Sequence, residues 1–255
     1  MEFWFEGGKE NNLYTVENVT QEGNICAFTV RMKFSGMESP EPVRLLFRLP
    51  CKDMYAVWSP AMKMERYLGP NWKKRTTSSR LAAGMPVHCI HSLNGKNRLT
   101  IALSDAKTPL EIATGICEED GFLDCRITFF TVKVGAMTEY CATVRLDMRQ
   151  IPWYDSVYDV AAWWERDCGY APAYVPEEAK MPMYSTWYNY HQNFTPEELL
   201  SECALGKEMG MDAIIIDDGW QTEDSSRGYR CCGDWQAAPG RIADMKDFIR
   251  RIHQT

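Results

Sequence analysis

The sequence is short of positive charge, and this excludes one large class of partners. Its 255 residues contain 28 Lys and Arg against 35 Asp and Glu, which gives a formal net charge of −7. The only tight basic run is Lys73-Lys74-Arg75. Nucleic acids and anionic membrane surfaces are bound through clustered Lys and Arg. We therefore expect neither a nucleic acid nor a membrane as a partner.

Long apolar runs and a secretory leader are also missing from the sequence. No apolar run approaches the roughly 18 residues that a membrane-spanning helix needs. The first residues, Met1-Glu2-Phe3-Trp4-Phe5-Glu6, contain no basic region followed by an apolar stretch. The 10 cysteines form no C-x-x-C pair and no zinc-ribbon spacing. These features favour a cytoplasmic protein whose thiols are reduced.

Patterns that bind metals or phosphate groups are scarce. The closest approach to a metal-binding pair is His88 and His91, but residues three apart on a strand point to opposite faces. No glycine-rich phosphate fingerprint follows either strand predicted in the last third of the chain. We therefore expect no metal and no cofactor.

The stretch from Leu13 to about Met148 is rich in short strands. Alternation of apolar and polar residues predicts strands over Ile25–Phe34, Val43–Leu49, Leu99–Leu103, Arg126–Val134 and Ala142–Met148. Gly, Asn, Pro and Ser separate these runs, as is typical of an antiparallel sandwich. Residues 1–150 are therefore predicted to form an N-terminal antiparallel β-sandwich domain.

Residues 151–180 predict a linker helix followed by a proline-rich connection. The helix can be capped by Asp155 or Ser156. Its apolar positions share one face of a 3.6-residue period, at Val157, Val160, Ala161 and Trp164. Pro172 and Pro176 then break the chain. This composition marks the most favourable domain boundary in the sequence.

The last third alternates strand and helix. A strand is predicted over Met183–Tyr188, a helix capped by Thr195 comes next, and a second strand is predicted over Met211–Ile216. A long loop leads to a second helix, capped by Asp244. This order predicts two parallel strands joined by a helix, which is the start of a (β/α)₈ barrel or of a doubly wound sheet. Both architectures bind ligands at the carboxyl ends of their strands.

Two adjacent acids stand where the second of these strands ends. Asp217 and Asp218 follow three isoleucines and precede Gly219 and Trp220. Neighbouring carboxylates repel each other, so a fold gains nothing from this placement, whereas a polar ligand would give it a reason. The alternative is a solvated turn, in which Asp and Gly are common.

Five short motifs stand out in the last third of the chain: Ser185-Thr186-Trp187-Tyr188, His191-Gln192-Asn193, Ile216-Asp217-Asp218-Gly219-Trp220-Gln221, Gly233-Asp234-Trp235 and Asp244-Met245-Lys246. Together they resemble the α-galactosidases of glycoside hydrolase family 36 and their relatives in family 27 and among raffinose-synthase-like enzymes. The resemblance is strong over Met181–His253 and loose before it.

The family resemblance implies a fold and an activity. The implied fold is multidomain β and α/β, with an N-terminal β-sandwich followed by a (β/α)₈ TIM barrel. Residues 181–255 would be the first two or so βα units of that barrel. The implied activity is the retaining hydrolysis of terminal α-linked galactose in raffinose-type oligosaccharides.

The resemblance also implies roles for four residues. Asp217 and Asp218 match the pair that binds the galactose 4- and 6-hydroxyls, and Trp187 matches an aromatic residue that lines the sugar pocket. Trp235 is expected either to contact the sugar or to pack its loop. Both catalytic aspartates of the family lie on later strands, so the nucleophile and the acid/base are expected beyond Thr255. The 255-residue chain alone is then expected to be inactive, and a homo-oligomer is compatible with the full-length enzyme.

Two alternatives stay open at this point. The first is a non-catalytic carbohydrate-binding or structural β-sandwich protein with a vestigial barrel. The second is a galactosyltransferase similar to raffinose synthase, which uses the same chemistry with a sugar as acceptor. The DNA downstream of the Thr255 codon would separate the first alternative from an enzyme.

Overall fold

The structure, a computed structural model, describes residues 2–61, 66–81, 83–226, 228–229, 232–233 and 235–255. The chain forms two compact units, Met1–Pro172 and Ala173–Thr255. The boundary between them falls within the predicted linker. Over the described ranges, no helix is long and apolar enough to cross a membrane.

The first unit is built from two antiparallel sheets. One sheet has the strand order β1-β4-β11-β10-β7, and the other has the order β2-β3-β12-β9-β8-β5-β6. The strands are β1 (Phe3–Gly7), β2 (Leu13–Glu22), β3 (Ile25–Glu38), β4 (Val43–Pro50), β5 (Ala56–Trp58), β6 (Arg66–Tyr67), β7 (Arg75–Ser79), β8 (Val87–His91), β9 (Asn97–Leu103), β10 (Leu110–Cys117), β11 (Phe122–Phe129) and β12 (Met137–Asp147). The predicted N-terminal antiparallel β-sandwich is thus confirmed.

The core of this unit lies between the two sheets. Along β3, the alternate residues Phe28, Val30 and Met32 are buried, because successive side chains of a strand point to opposite faces. The ring of Phe3 on β1 lies 4.5 Å from the ring of Phe28, and these two strands belong to different sheets. The apolar faces of the two sheets therefore pack directly against each other.

One predicted strand is longer than the observed one. The sequence predicts a strand over Arg126–Val134, but β11 ends at Phe129. Phe130 adopts a left-handed backbone conformation, with a φ of 58°, and this ends the strand. Its buried ring packs at 6.1 Å from Phe34 and 5.1 Å from Tyr140. Burial of the ring offsets the cost of the backbone conformation.

The helix that the sequence places in the linker packs on the sandwich. Helix α1 (Trp153–Asp167) lies against β8 and β9. Val160 and Trp164 pack with Val87 and Ala102 on these strands, and the Trp164 indole N–H donates to the Leu103 carbonyl at 2.8 Å. The outer face of β9 is therefore covered as well as its inner face.

The predicted cap of α1 is wrong, and so is part of its predicted buried face. The helix begins after Pro152, and Ser156 lies inside it with its hydroxyl fully buried. That hydroxyl lies 2.9 Å from the Thr100 hydroxyl and 3.1 Å from Oδ2 of Asp147, both within hydrogen-bond distance. Because Ser156 occupies the buried face, Ala161 is turned to the surface.

The second unit contains one parallel strand pair with a helix between the strands. Strands β13 (Met183–Ser185) and β14 (Ala213–Ile215) are parallel, with Tyr184 opposite Ile214. The helices are α2 (Trp187–Tyr190), α3 (Pro196–Glu208) and α4 (Met245–His253). A cluster of buried apolar side chains holds the helices together, at Phe194, Leu199, Ile242 and Phe248.

The helix starts of this unit follow the sequence closely, whereas its strands are shorter than predicted. Thr195 and Glu198 form the predicted capping box, and Asp244 accepts a hydrogen bond from the Asp247 amide. The predicted strand Met183–Tyr188 ends at Ser185, because Trp187–Tyr190 is a short helix. The predicted strand Met211–Ile216 is reduced to Ala213–Ile215.

Candidate functional site

A cleft of about 440 Å³ opens at the carboxyl ends of β13 and β14. Its lining contains all four residues that the sequence singles out for ligand binding, Trp187, Asp217, Asp218 and Trp235. The other lining residues are Ile215, Ile216, Trp220, Gln221, Tyr229 and Cys232. A larger groove of about 580 Å³ runs between α3 and α4, but none of those four residues reaches it. The cleft is therefore the candidate site.

Asp217 is the exposed carboxylate of the pair. Its backbone N–H donates to the Thr186 hydroxyl at 3.0 Å, and the Thr186 N–H donates to the Ile215 carbonyl at 3.1 Å. Thr186 is fully buried, so these bonds tie the end of β14 to the end of β13. One carboxylate oxygen of Asp217 accepts from the Asp218 amide at 2.7 Å. In the described part of the chain, no donor reaches its second oxygen.

Asp218 differs from Asp217 because protein donors surround its carboxylate. Its Oδ1 accepts from the Gly219 amide at 3.0 Å and from the Gln221 side-chain amide. Its Oδ2 accepts from Gln192 Nε2 at 2.6 Å and from the Cys232 thiol at 3.3 Å. A carboxylate offers about four acceptor positions, so these donors fill the capacity of Asp218.

These hydrogen bonds also set the charge state of Asp218. Partial burial acts to raise its pKa, because burial disfavours the charged form. The bonds donated by Gln192, Cys232 and Gly219 favour the charged form and outweigh burial. The pKa of Asp218 therefore lies below the ordinary value, and the cleft holds an ionised carboxylate at neutral pH.

Two loops approach each other so closely behind Asp218 that only glycine fits between them. Gly219 has a φ of 110°, and a Cβ added there would lie 2.6 Å from the Cα of Gln192. His191, just before Gln192, has a φ of 52° and a ψ of −115°, which turns the chain toward this contact. The glycine of the Asp-Asp-Gly-Trp motif is thus required by the packing of backbone on backbone.

The aromatic side chains of the cleft are placed differently. Trp187 is half-buried, with its ring 4.9 Å from the ring of His191 and 6.4 Å from that of Tyr229. Trp235 is 77% exposed and lies 5.8 Å from Trp220. Trp187 is therefore held rigidly at one wall, and Trp235 presents most of its ring to solvent.

Arg241 makes several contacts with described residues of the long loop between β14 and α4. The guanidinium of Arg241 donates to the Phe194 carbonyl at 2.9 Å, to the Thr222 carbonyl at 3.2 Å and to the Ser225 hydroxyl at 2.8 Å. It also lies 5.6 Å from the centre of the Phe194 ring. The Trp220 carbonyl also accepts from the Ala238 amide at 3.0 Å. This bond joins the beginning of the loop, next to β14, to its later part, next to α4.

Several residues of the site were not singled out from the sequence. The adjacent pair Cys231-Cys232 predicts a packing or loop role, but Cys231 and Asp234 lie outside the described residues. Gln192 belongs to a motif of the resemblance, but no role followed from it. Its contact with Asp218 joins residues 26 apart in sequence, and no local pattern indicates such a contact.

The fold of the chain is similar to that of several α-galactosidases. No protein-family model matches the sequence, and no curated protein matches it either. Against the family 36 α-galactosidase AgaA from Geobacillus stearothermophilus, the TM-score is 0.52 at 12% identity, over 100% of this chain and 42% of the other. Against the α-galactosidase from Lactobacillus brevis it is 0.51 at 12% identity, over 100% and 40%.

A third neighbour comes from a different organism. The α-galactosidase TtGalA from Thermus thermophilus gives a TM-score of 0.50 at 16% identity, over 95% of this chain and 47% of the other. The resemblance to family 36 α-galactosidases is thus confirmed as a likeness of fold. The chain spans less than half the length of these three enzymes.

Proposed function

We propose that the cleft binds the galactose ring of an α-galactoside, and that the chain is part of a retaining α-galactosidase. One observation carries the proposal. Asp217, Asp218, Trp187 and Trp235 line a single cleft at the strand ends of a chain whose structural neighbours are α-galactosidases. Strand ends are where α/β folds bind their ligands.

The chemistry of the cleft suits a pyranose that carries an axial hydroxyl. A carboxylate accepts a short, strong hydrogen bond from a hydroxyl, and the outer oxygen of Asp217 faces solvent at the mouth of the cleft. The bond from Asp217 N–H to Thr186 fixes the backbone behind that oxygen. A rigid acceptor can distinguish an axial 4-hydroxyl from an equatorial one. The flat face of Trp187 suits the C–H face of the sugar.

We propose that the second unit begins a (β/α)₈ barrel. Strand β13, helix α3 and strand β14 form one parallel βαβ unit, which is the repeating unit of such barrels. Trp187 comes just after the carboxyl end of β13, and Asp217 comes just after the carboxyl end of β14. Because the two strands are parallel, both residues would stand at the same rim of the barrel. Catalytic residues of such barrels are found at that rim.

The aspartate pair is proposed to bind the sugar and not to cleave it. The two carboxylates of a retaining enzyme stand about 5–5.5 Å apart on opposite sides of the scissile bond. Asp217 and Asp218 are adjacent in the chain, and all acceptor positions of Asp218 are taken. We therefore assign neither the nucleophile nor the acid/base to this pair.

Raffinose-type oligosaccharides are the proposed substrates. Variants of AgaA have been solved in complex with stachyose and with raffinose, at TM-scores of 0.51 to this chain. Both sugars end in an α-linked galactose. The cleft of about 440 Å³ has room for one such ring at the strand ends.

A binding measurement on the 255-residue chain tests the proposed pocket. Titration with D-galactose should quench or enhance tryptophan fluorescence, since Trp187, Trp220 and Trp235 line the cleft. D-glucose, the 4-epimer, is the control and should bind about tenfold more weakly, which is about 1.4 kcal/mol. Asp217→Asn should weaken galactose binding by a similar factor. Equal affinity for the two sugars, or no effect of Asp217→Asn, would contradict the proposal.

An activity measurement tests the reaction. The reading frame is expressed from genomic DNA to its own stop codon and assayed on p-nitrophenyl α-galactoside, with proton NMR to identify the first anomer released. A retaining enzyme releases α-galactose first. Transfer of galactose to an added sugar would indicate the galactosyltransferase alternative. Binding without turnover would support the non-catalytic alternative.

A further inference from the structure

Gln192 lies at the point where three segments of the cleft meet. It is 1% exposed and follows the left-handed turn at His191. Its backbone is the surface against which Gly219 packs. A long polar side chain is seldom buried so completely unless protein partners reach its polar atoms. The side-chain nitrogen of Gln192 has such partners, whereas no donor among the described residues reaches its buried Oε1.

The side-chain amide of Gln192 forms hydrogen bonds to the other two segments. Its Nε2 donates to Asp218 Oδ2 at 2.6 Å and to the Gly228 carbonyl at 2.9 Å. Both partners can only accept, so the nitrogen of the amide must face them. Gly228 precedes Tyr229, whose ring lies 6.4 Å from the ring of Trp187 in the lining of the cleft.

We infer that Gln192 is a positioning residue of this cleft: its amide orients the Asp218 carboxylate and, through the Gly228 carbonyl, holds Tyr229 beside Trp187. The inference deepens the proposed function, on which it rests for the identity of the ligand. Gln192 itself does not line the cleft. It acts on a ligand through Asp218 and through the segment that carries Tyr229.

The role requires the chemistry of an amide at this position. An apolar side chain of the same size would leave Asp218 Oδ2 and the Gly228 carbonyl without this donor. A glutamate would place a second negative charge 2.6 Å from Asp218, if it kept the same geometry. Two carboxylates at such a distance cannot both be ionised, so one of them takes up a proton.

Other titratable groups lie near this amide, and their pH effects have to be distinguished from those of a substitution at position 192. Among the described residues, Asp217, Cys232 and Tyr229 line the cleft with Asp218, and His191 precedes Gln192 in the chain. Since all of them are retained in every Gln192 variant, a pH effect that differs between those variants arises at position 192.

The first test needs no ligand. The carboxyl carbon of Asp218 is followed by carbon-13 NMR against pH in the wild-type chain and in Gln192→Met. Loss of a donor to the charged form should raise the pKa of Asp218 in the variant. Asn189→Ala, in the exposed part of α2, is the control and should leave the titration unchanged. An unchanged Asp218 titration in Gln192→Met would overturn the inference.

The second test uses D-galactose as the probe. At pH 7, Gln192→Met and Gln192→Glu should each bind galactose about 10- to 100-fold more weakly than the wild type, the factor that a lost hydrogen bond to a charged group gives. As the pH is lowered to 5, Gln192→Glu should recover, because a proton shared with Asp218 restores a donor between the two groups. Gln192→Met should not recover. Equal pH profiles for the two variants would overturn the inference.

A paired substitution keeps the tests decisive if Gln192→Glu fails to fold. In Gln192→Glu combined with Asp218→Asn, the amide and the carboxylate exchange places and their hydrogen bond can form again. Gln192→Glu should therefore cost less stability in the Asp218→Asn background than in the wild-type chain, and an equal or larger cost would overturn the inference. If the wild type binds no galactose while Gln192→Met still shifts the Asp218 titration, the proposed function fails and the positioning role stands.

Discussion

Asp217 and Asp218 are neighbours in the chain, but their carboxylates have different hydrogen-bond partners. Asp217 keeps an oxygen that no described donor reaches, whereas four donors enclose the carboxylate of Asp218. The resemblance implies that the two acids bind the sugar as a pair. It does not reveal this difference, because two of the four donors to Asp218, on Gln192 and Cys232, lie 26 and 14 residues away in the sequence.

Stability should distinguish the two aspartates. Asp218→Asn replaces an acceptor oxygen by a donor that faces other donors, so we expect a loss of about 1–3 kcal/mol in the free energy of unfolding. Asp217→Asn changes an exposed side chain and should stay within about 0.5 kcal/mol of the wild type. Urea unfolding at pH 7 measures both values. Equal losses for the two variants would show that the donors around Asp218 do not stabilise the fold.

The same donors predict how the cleft responds to acid. The pKa of Asp218 is lowered in the folded chain, so its hydrogen bonds stabilise the fold above the ordinary pKa of Asp, about 3.9, and this contribution is lost as the pH falls through the lower folded value. The wild-type chain should therefore lose more stability between pH 5 and pH 3 than Asp218→Asn. Parallel acid-unfolding curves for the two chains would contradict this.

Gly219 should be the least replaceable residue of the motif. Gly219→Ala adds a Cβ at 2.6 Å from the Gln192 backbone in addition to the cost of the left-handed φ, and backbone cannot move aside as a side chain can. Gly210→Ala is the matched control, since its φ is 85° but open space surrounds it. We expect a loss of about 1 kcal/mol for Gly210→Ala, with a larger loss and no galactose binding for Gly219→Ala. Urea unfolding and the fluorescence titration give these two readings.

At the scale of single elements, the helix starts are the part of the structure that the sequence determines most clearly. The capping box at Thr195 and Glu198 and the cap at Asp244 need only residues within one helical turn. The helix α1 departs from its predicted cap because Ser156 is required in a buried network with Thr100 and Asp147. Strand ends depart from prediction for the same reason, since Phe130 contacts Tyr140 and Trp187 contacts Tyr229, both distant in sequence.

The capping box of α3 should contribute measurably to the stability of the second unit. The Thr195 hydroxyl accepts from the Glu198 amide at 3.3 Å, and Glu198 Oε2 accepts from the Thr195 amide at 2.8 Å. Thr195→Ala should cost about 1 kcal/mol, the usual value for loss of an N-cap. Glu197→Gln, in the same helical turn but outside the box, should cost a few tenths of a kcal/mol. Thermal unfolding followed by circular dichroism compares the two variants.

At the scale of the whole chain, a buried histidine connects the two sheets of the sandwich. His88 on β8 is fully buried, and its two ring nitrogens lie 2.8 Å from the hydroxyls of Thr77 on β7 and Thr114 on β10. Burial lowers the pKa of His88 to about 3, so the ring is neutral in the folded state. His88 therefore links the two sheets through its hydrogen bonds. The sequence pattern of His88 and His91, with two residues between them, does not reveal this link.

This histidine makes the sandwich sensitive to mild acid. Below the ordinary histidine pKa of about 6.5, the unfolded chain binds a proton that the folded chain does not. As the pH is lowered below 6.5, the free energy of unfolding should therefore decrease. His88 should contribute up to about 1.4 kcal/mol per pH unit to this decrease. His88→Gln cannot titrate and should show a smaller slope between pH 7 and pH 5. Equal slopes would mean that the ring is not neutral in the fold.

The general architecture could be predicted from the sequence because strand alternation, turn residues and helix caps act over short distances. The sandwich and the parallel pair β13–β14 follow from such local patterns. The proposed barrel and the roles of the four cleft residues come from resemblance, and they stay predictions. The bonds from Gln192 and Cys232 to Asp218, the Arg241 contacts and the His88 bridge join distant segments, so only the folded chain shows them.

The burial of Ser156 also decides where α1 can sit along the sheet. A helix held by apolar contacts alone can slide by one turn at small cost, because another apolar residue replaces the one that moves away. The hydroxyl between Thr100 and Asp147 has only one location in which both of its bonds form. Ser156 therefore fixes the position of α1 along the sheet. It also fixes the place at which the chain leaves the sandwich after Asp167.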